Sequence, residues 1–276
     1  MGDYSSFDLT IDEGVAHLVL GNAGKMNALG RAFWSELPQA VEEMDRNGKV
    51  RALVISSTGS VFCSGIDLTI FSDESLAAVA SPQERERLKH TILKLQQALT
   101  CLQSCRFPVL AAIQGACLGA GLDLISACDM RWGTIDSFYV IQEINIGIMA
   151  DLGSLQRLPL LLPDALVREL AFTGAKLGAE RAHGYGFLNG LSQSHEEALA
   201  AAMQAAKLIA QKSPLAIAGS KQCLNFVPGH SQQEALNQCA TLQSAIFDPA
   251  DVMAQVMAMK SKSNHQAKDL LAVKAL

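Results

Sequence analysis

Residues 143–151 read EINIGIMAD, and the acids at the two ends, Glu143 and Asp151, are the only charges in the stretch. Ile144, Ile146, Ile148 and Met149 fill most of the interval. Two carboxylates bracketing an apolar run suit a pair of proton carriers held over an apolar pocket. Burial in such a pocket would raise carboxylate pKa values, letting one acid stay protonated while the other acts as base. The plainer alternative is a short buried strand, with Gly147 as a turn and two acids at solvated edges.

Two glycine-rich turns follow apolar segments, FCSGID (62–67) and GACLGAGLD (115–123). The second has a G-x-x-x-G-x-G order, not the G-x-G-x-x-G of a dinucleotide fingerprint, and no acidic residue follows on a second strand about 20 residues on. The chain has no G-x-x-x-x-G-K-[ST] phosphate loop either. A glycine-rich turn running into a helix does offer free backbone N–H groups at the helix's positive end. Two such amides converging on one point form an oxyanion hole for a developing enolate or tetrahedral oxygen. Taken singly, each turn is equally served by close strand–helix packing, which small residues permit.

Other chemistries fit less well. The seven cysteines are scattered through apolar segments, without a CxxC pair or a Cys/His cluster at zinc spacing, so no metal is expected. Cys117 and Cys128 read as core residues. No serine sits in a G-x-S-x-G elbow. Asp67 and Asp129 read as turn and strand-end residues, and Arg157 as a structural ion-pair partner.

The elements that must position these groups follow from periodicity. VAHLVLGNA (15–23), VRALVISS (50–57), FPVLAAIQG (107–115), DMRWGT (129–134) and SFYVIQE (137–143) read as strands. Phe33, Leu37, Val41 and Met44 recur at helical spacing, which predicts a helix over residues 25–47. Residues 72–86 read as a polar, irregular segment leading into an amphipathic helix over 88–105, with Leu88, Ile92, Leu95 and Leu99 on one face. A helix over 122–128 follows the second turn. Beyond Leu152 the pattern turns mostly helical. A strand–turn–strand–helix unit recurs loosely through the first two thirds, so the chain reads as an α/β core over 1–195 and a helical C-terminal region over 196–276.

At 276 residues, 49% hydrophobic and 18% charged, the chain has the composition of a globular protein. The net charge of -5 and the lack of a Lys/Arg block argue against nucleic acid as a partner. The longest uncharged run, 107–122, is too short to span a bilayer. No presequence pattern opens the chain and no SKL-type signal closes it, so a cytoplasmic, prokaryotic placement is expected.

The ordered set NALGRAFW, FCSGIDL, IQGACLGAGLDLISACD and GSLQRLP closely resembles the crotonase (enoyl-CoA hydratase/isomerase) superfamily, from about residue 15 to 187 and more loosely beyond. The resemblance implies the family's spiral of strand–strand–helix units with a helical oligomerisation region. It implies a thioester oxygen held by the amides of Ser64 and Ala120, the latter standing where the family usually has glycine. It also implies a coenzyme A contact surface from Lys25, Met26 and Ala28, with Ser64, Gly65, Ile66, Asp67 and Leu68 on the first turn and Gly119 and Gly121 on the second.

Hydratases of the family hold a water between two glutamates; here those positions are Asp123 and Glu143, and the shorter Asp123 retreats from such a clamp. With Asp151 added, the trio resembles the Δ3,5-Δ2,4-dienoyl-CoA isomerases. That resemblance implies proton removal at C2 and return at C6 of a 3,5-dienoyl thioester. Glu143 and Asp151 would be the acid/base pair, Asp123 would orient or polarise one of them, and no cofactor beyond the substrate's own coenzyme A would be needed. The alternatives are an enoyl-CoA hydratase, a Δ3-Δ2-enoyl-CoA isomerase, or a silent scaffold that binds acyl-CoA. A homotrimer or a dimer of trimers is the implied assembly.

Overall fold

Val15–Leu20 (β2), Ala52–Ser57 (β3) and Val109–Ile113 (β4) are nearly continuous apolar runs because both of their faces are covered. In the computed structural model, which describes residues 3–72, 79–261, 263 and 267–274, they form the middle of a six-stranded sheet ordered β1-β2-β3-β4-β6-β9. Asp8–Asp12 (β1) pairs antiparallel with β2, and the other neighbours, through Met130–Thr134 (β6) to Gly190–Ser192 (β9), run parallel. One set of alternating side chains, including Leu18, Leu53, Ile55, Ala111 and Ile113, belongs to the main core. The other set, Val15, Ala52, Val54, Leu110 and Ala112, packs with Ala202 and Ala206.

A second sheet, ordered β5-β7-β8, holds Ala116–Leu118 (β5), Phe138–Val140 (β7) and Leu177–Gly178 (β8). The chain alternates between the sheets: β4 turns at Gln114 into β5, and β6 turns into β7. This is the strand–strand–helix spiral expected from the resemblance.

The helices are Phe33–Asn47 (α1), Pro82–Ser104 (α2), Ala120–Ser126 (α3), Ser154–Arg157 (α4), Asp164–Thr173 (α5), Ala179–Gly184 (α6), His195–Ala210 (α7), Pro214–Phe226 (α8), Gln232–Ile246 (α9) and Pro249–Ser261 (α10). The chain beyond 195 is helical as expected, but α7 supplies Ala202 and Ala206 to the second face of the large sheet, so the C-terminal region starts inside the core.

Several boundaries differ from the sequence reading. The first helix begins at Phe33, not residue 25, because Met26 and Asn27 take left-handed φ values of 52° and 54°. The buried Asn27 amide donates to the carbonyls of Thr58 and Val61, 2.7 Å each, tying this turn to the loop after β3. Residues 82–86 are the first turn of α2, started by a capping box of Ser81 and Glu84 with a proline at the helix start. Residues 73–78, within the expected irregular segment, lie outside the described residues. β1 was not anticipated; its strongly exposed pattern lacks the alternation that marks a half-buried strand.

Candidate active site

The two glycine-rich turns are joined by backbone hydrogen bonds. Phe62 N–H donates to Gln114 O at 3.0 Å, Cys63 N–H to Ala116 O at 3.2 Å, and Leu118 N–H to Cys63 O at 2.9 Å. The buried Gln114 amide adds bonds to Ser57 O, Ser57 Oγ and Gly59 O. The ends of β3 and β4 are thereby fixed side by side. Gly65 is required where the turns meet: its φ is +103°, and a Cβ there would stand 3.2 Å from Leu118 O and 3.7 Å from Ala120 N.

Which amides are free follows from this pairing. Ser64 N–H donates to Met26 O at 3.0 Å, so the expected Ser64 amide is already engaged and cannot hold a thioester oxygen. In the bridge between Leu29 and Ile66, Leu29 N–H donates to Gly65 O and Asp67 N–H to Leu29 O. The Ile66 N–H therefore points to the opposite side and has no acceptor among the described residues. Ala120 is the first residue of α3, where the N–H has no intrahelical acceptor. The amide pair offered by the fold is Ile66 and Ala120, so Ser64 is replaced by the residue two positions on. Sequence spacing could not reveal this, because the bond that consumes the Ser64 amide comes from Met26.

The three carboxylates come from three elements that meet near α3. Asp123 is 0% exposed; its Oδ1 accepts the Ser154 N–H at 2.6 Å and its Oδ2 has no partner. Glu143 opens a 3-10 turn, Glu143–Ile146, and packs against Gly119, where a Cβ would stand 3.2 Å from Glu143 Oε1. Its Oε2 is also buried without a partner. Asp151, partly buried, is held through its carbonyl, which accepts from Gln96 Nε2 at 2.6 Å.

All three acids have raised pKa values. Burial is the largest cause for Asp123, pushed up to about 6; the Ser154 bonds and Arg157 oppose it, and the Asp151 charge adds to it. Burial followed by the Asp123 charge takes Glu143 up to about 7. Asp151 is raised by burial, against its own backbone hydrogen bond. Near neutral pH the group therefore holds acid and base forms side by side.

The environment differs from expectation in one respect. Ile144, Ile146, Ile148 and Met149 are 41%, 52%, 43% and 65% exposed, so neither a buried strand nor an apolar tunnel wall is built from them in the single chain. Gly147 ends the 3-10 turn with φ 81°. The burial of Glu143 comes instead from its packing against Gly119, at the head of α3.

The expected coenzyme A surface divides. Met26 and Leu68 are 57% and 66% exposed beside the first turn, an open apolar edge. Lys25 Nζ pairs with Asp67 at 3.2 Å, and Asp67 also accepts from Thr69 N–H and Oγ1, the turn role expected for it. A cavity of about 460 Å³ opens next to them, with Lys25, Ala28 and Asp67 on its wall and none of the three carboxylates. Gly119 and Gly121 are buried, and a Cβ on Gly121 would stand 2.8 Å from Cys63 Cβ. Gly121 is thus a packing contact between the turns and not part of an open binding surface.

Arg157 also departs from expectation: its hydrogen bonds go to Gln103 Oε1, Leu152 O and Thr100 Oγ1, not to a carboxylate. Gln96, Thr100 and the Ser154 amide were not anticipated as site-supporting groups. The spacing of Gln96, Thr100 and Gln103 beside the apolar stripe of α2 is the signal by which the helix residues could have been found; the Ser154 amide leaves none in the sequence. Asp129 accepts from the Val109 N–H and pairs with the buried Lys221, a strand-end role as expected.

Two amides left without acceptors among the described residues, one of them on the helix that carries Asp123 and next to the Gly119 against which Glu143 packs, suit enolate chemistry on a carbonyl compound. The family model for enoyl-CoA hydratase/isomerase matches residues 10–269. The chain belongs to the enoyl-CoA hydratase/isomerase family. Its relatives include the mitochondrial Delta(3,5)-Delta(2,4)-dienoyl-CoA isomerase of Mus musculus, 37% identical over 94% of this chain and 81% of the mouse protein. The peroxisomal enzyme of the same name from Arabidopsis thaliana is 37% identical over 91% of each chain. Among solved structures, a putative enoyl-CoA hydratase from Streptomyces coelicolor A3(2) superposes with a TM-score of 0.88, at 25% identity, over 97% of this chain and 96% of that one. These relatives overturn the expected cytoplasmic, prokaryotic placement: the mouse and plant proteins are organelle enzymes of eukaryotes.

Proposed function

We propose that this member of the enoyl-CoA hydratase/isomerase family is a Δ3,5-Δ2,4-dienoyl-CoA isomerase. The observation that carries the reading is the convergence of Asp123, Glu143 and Asp151, with the pKa of each raised, together with the acceptor-free amides of Ile66 and Ala120. The relatives of that name, 37% identical over most of the chain, support it.

The substrate is a 3,5-dienoyl thioester whose carbonyl oxygen accepts from Ile66 and Ala120. One carboxylate of the Glu143/Asp151 pair takes the C2 proton, and the electron pair of the C–H bond enters the conjugated system as a dienolate. The two amides hold the negative oxygen. The other member of the pair, in its acid form, gives a proton to C6, and the double bonds come to rest at C2 and C4. C2 and C6 lie four bonds apart, too far for one short side chain, which is why two acids are needed. Asp123, held by Ser154, keeps negative charge beside Glu143 and so favours its protonated form. The reaction needs no metal or redox cofactor; coenzyme A enters as part of the substrate.

The same reading assigns the exposed apolar residues of the C-terminal helices, among them Leu224, Leu236, Met253 and Met257, to contacts between copies in a homotrimer or a dimer of trimers. Light scattering on the purified chain distinguishes these from a monomer.

The deciding experiment follows ultraviolet absorbance with a 3,5-dienoyl-CoA and a 2-enoyl-CoA, on wild type and Asp151→Asn. Growth of a 2,4-dienoyl signal that the mutation abolishes, without hydration of the enoyl substrate, is the expected result. Hydration that survives the mutation would overturn the reading in favour of a hydratase. Binding of CoA thioesters without any turnover would point to a scaffold.

A further inference from the structure

The segment that follows Asp151 carries two parts of the site, the Asp151 carboxylate and the Ser154 N–H that Asp123 accepts. α4 itself is a single turn of four residues and cannot fix where this segment stands. Arg157, at its end, does so. Its Nε donates to Gln103 Oε1 at 2.8 Å and one Nη to Thr100 Oγ1 at 3.0 Å, both on α2. The other Nη donates to Leu152 O at 3.0 Å, between Asp151 and Ser154.

The Nη1 end of the guanidinium also abuts Gly153. A Cβ there would stand 1.7 Å from Nη1, and the φ of +128° excludes other residues as well. Gln96 adds its bond to Asp151 O from one turn earlier on α2. Gln96, Thr100 and Gln103 thus form one polar stripe along a helix face, closed over residues 151–157 by the buried arginine.

The hydrogen bonds of Arg157 all end on neutral oxygens, so its charge is not consumed by an adjacent carboxylate. The ionisable groups acting on Asp123 are Arg157 and Asp151 from this segment, Glu143 from the 3-10 turn and Cys117 from β5. Arg157 is the cation among them.

Resting on the isomerase reading of the three acids, we propose that Arg157 is a positioning residue: it clamps residues 151–154 onto α2 and is the fixed positive charge that keeps Asp123 an anion beside Glu143. An anionic Asp123 in turn holds the proton on Glu143, so one arginine governs both the placement of Asp151 and the division of protons within the pair.

The test is a carbon-13 NMR titration of protein labelled at the aspartate carboxyl carbon, with Asp123 assigned from the Asp123→Asn spectrum. In Arg157→Met the Asp123 midpoint is expected to rise by on the order of one pH unit, and in Arg157→Lys by much less, because the cation is retained. Where Arg157→Met does not fold, Thr100→Val with Gln103→Leu unties the guanidinium from α2 while leaving its charge. That double variant is expected to shift the Asp151 signal and lower kcat about tenfold or more, with KM within a few-fold. An Asp123 midpoint that stays put without the cation, or an Asp151 signal and kcat that stay put in the untied enzyme, would overturn the proposal. The titration requires no turnover, so failure of the isomerase reading shows separately, as a wild type that does not convert the dienoyl thioester.

Discussion

Asp123 Oδ1 and the Ser154 N–H, 31 positions apart in the chain, are joined by a 2.6 Å hydrogen bond. One partner lies on α3, whose first residue offers the Ala120 amide; the other opens α4, just after Asp151. In the proposed reading this contact couples the oxyanion turn to the acid/base pair. A carboxylate buried with one oxygen bonded and one orphaned is costly to charge, and its raised pKa is the measure of that cost.

The two acids of the pair are separable by isotope exchange. Glu143→Gln and Asp151→Asn should each lower kcat for the dienoyl substrate by about 10²–10⁴-fold. In deuterium oxide, the variant that keeps the C2 base should still exchange the C2 hydrogen without moving the double bonds, and the other should do neither. Proton NMR of the recovered thioester checks this; equal exchange by both variants would remove the two-acid division.

The amide of Ala120 can be deleted without deleting a side chain. The first position of a helix tolerates proline, which has no N–H, and the preceding residue, Gly119, has no Cβ to clash. Ala120→Pro should fold, keep its circular dichroism, and lose about 10²–10³-fold in kcat. Ala120→Gly, which retains the N–H, should stay close to wild type. A proline variant with full activity would show that the oxygen is held elsewhere.

Stability should fall as pH rises through the titration of the buried acids. For Glu143 the ordinary value near 4.5 is raised to about 7 in the fold, so between those values the native state binds more protons than the unfolded state. Stability then decreases with pH across that window, the reverse of a salt-bridged carboxylate. Glu143→Gln should match wild type below about pH 4 and exceed it above about pH 7, by on the order of 1–3 kcal/mol. Urea unfolding at pH 4 and pH 8 measures the difference; a constant offset would mean that burial does not tax the charged form.

Removing the negative charge at Asp123 should move the titration of its neighbour. Asp123→Asn leaves an oxygen to accept from Ser154 but withdraws the second-largest cause of the raised Glu143 pKa. The limb of the kcat/KM profile governed by Glu143 is therefore expected at lower pH in the variant. A limb that does not move would assign it to Asp151 instead.

Much of this was legible in the chain alone. The runs at 15–20, 52–57 and 109–113 are mostly apolar, broken only by His17 and the closing Ser56 and Ser57, which suits strands covered on both faces, and the order of the motifs around Gly65 and Gly119 carried the family. Glu143 and Asp151 stood out because charge is rare in their neighbourhood, and Asp123 because it follows the glycine-rich turn. These are properties of residue type and local spacing, which the sequence states directly.

What only the tertiary structure decided depends on partners far away in the chain. The Ser64 amide is consumed by Met26 and the Ile66 amide is left free, so the proposed choice of oxyanion donor rests on two contacts that each span nearly 40 positions, Ser64 with Met26 and Ile66 with Leu29. The isoleucines of 144–148 look buried by composition and are exposed, because Glu143 turns into a 3-10 turn and finds its cover at Gly119. Arg157 reads as an ion-pair partner and instead bonds three neutral oxygens, two of them on α2. Residue type determines which groups can donate, accept or titrate; whether each is free, paired or buried is set by neighbours that folding alone brings together.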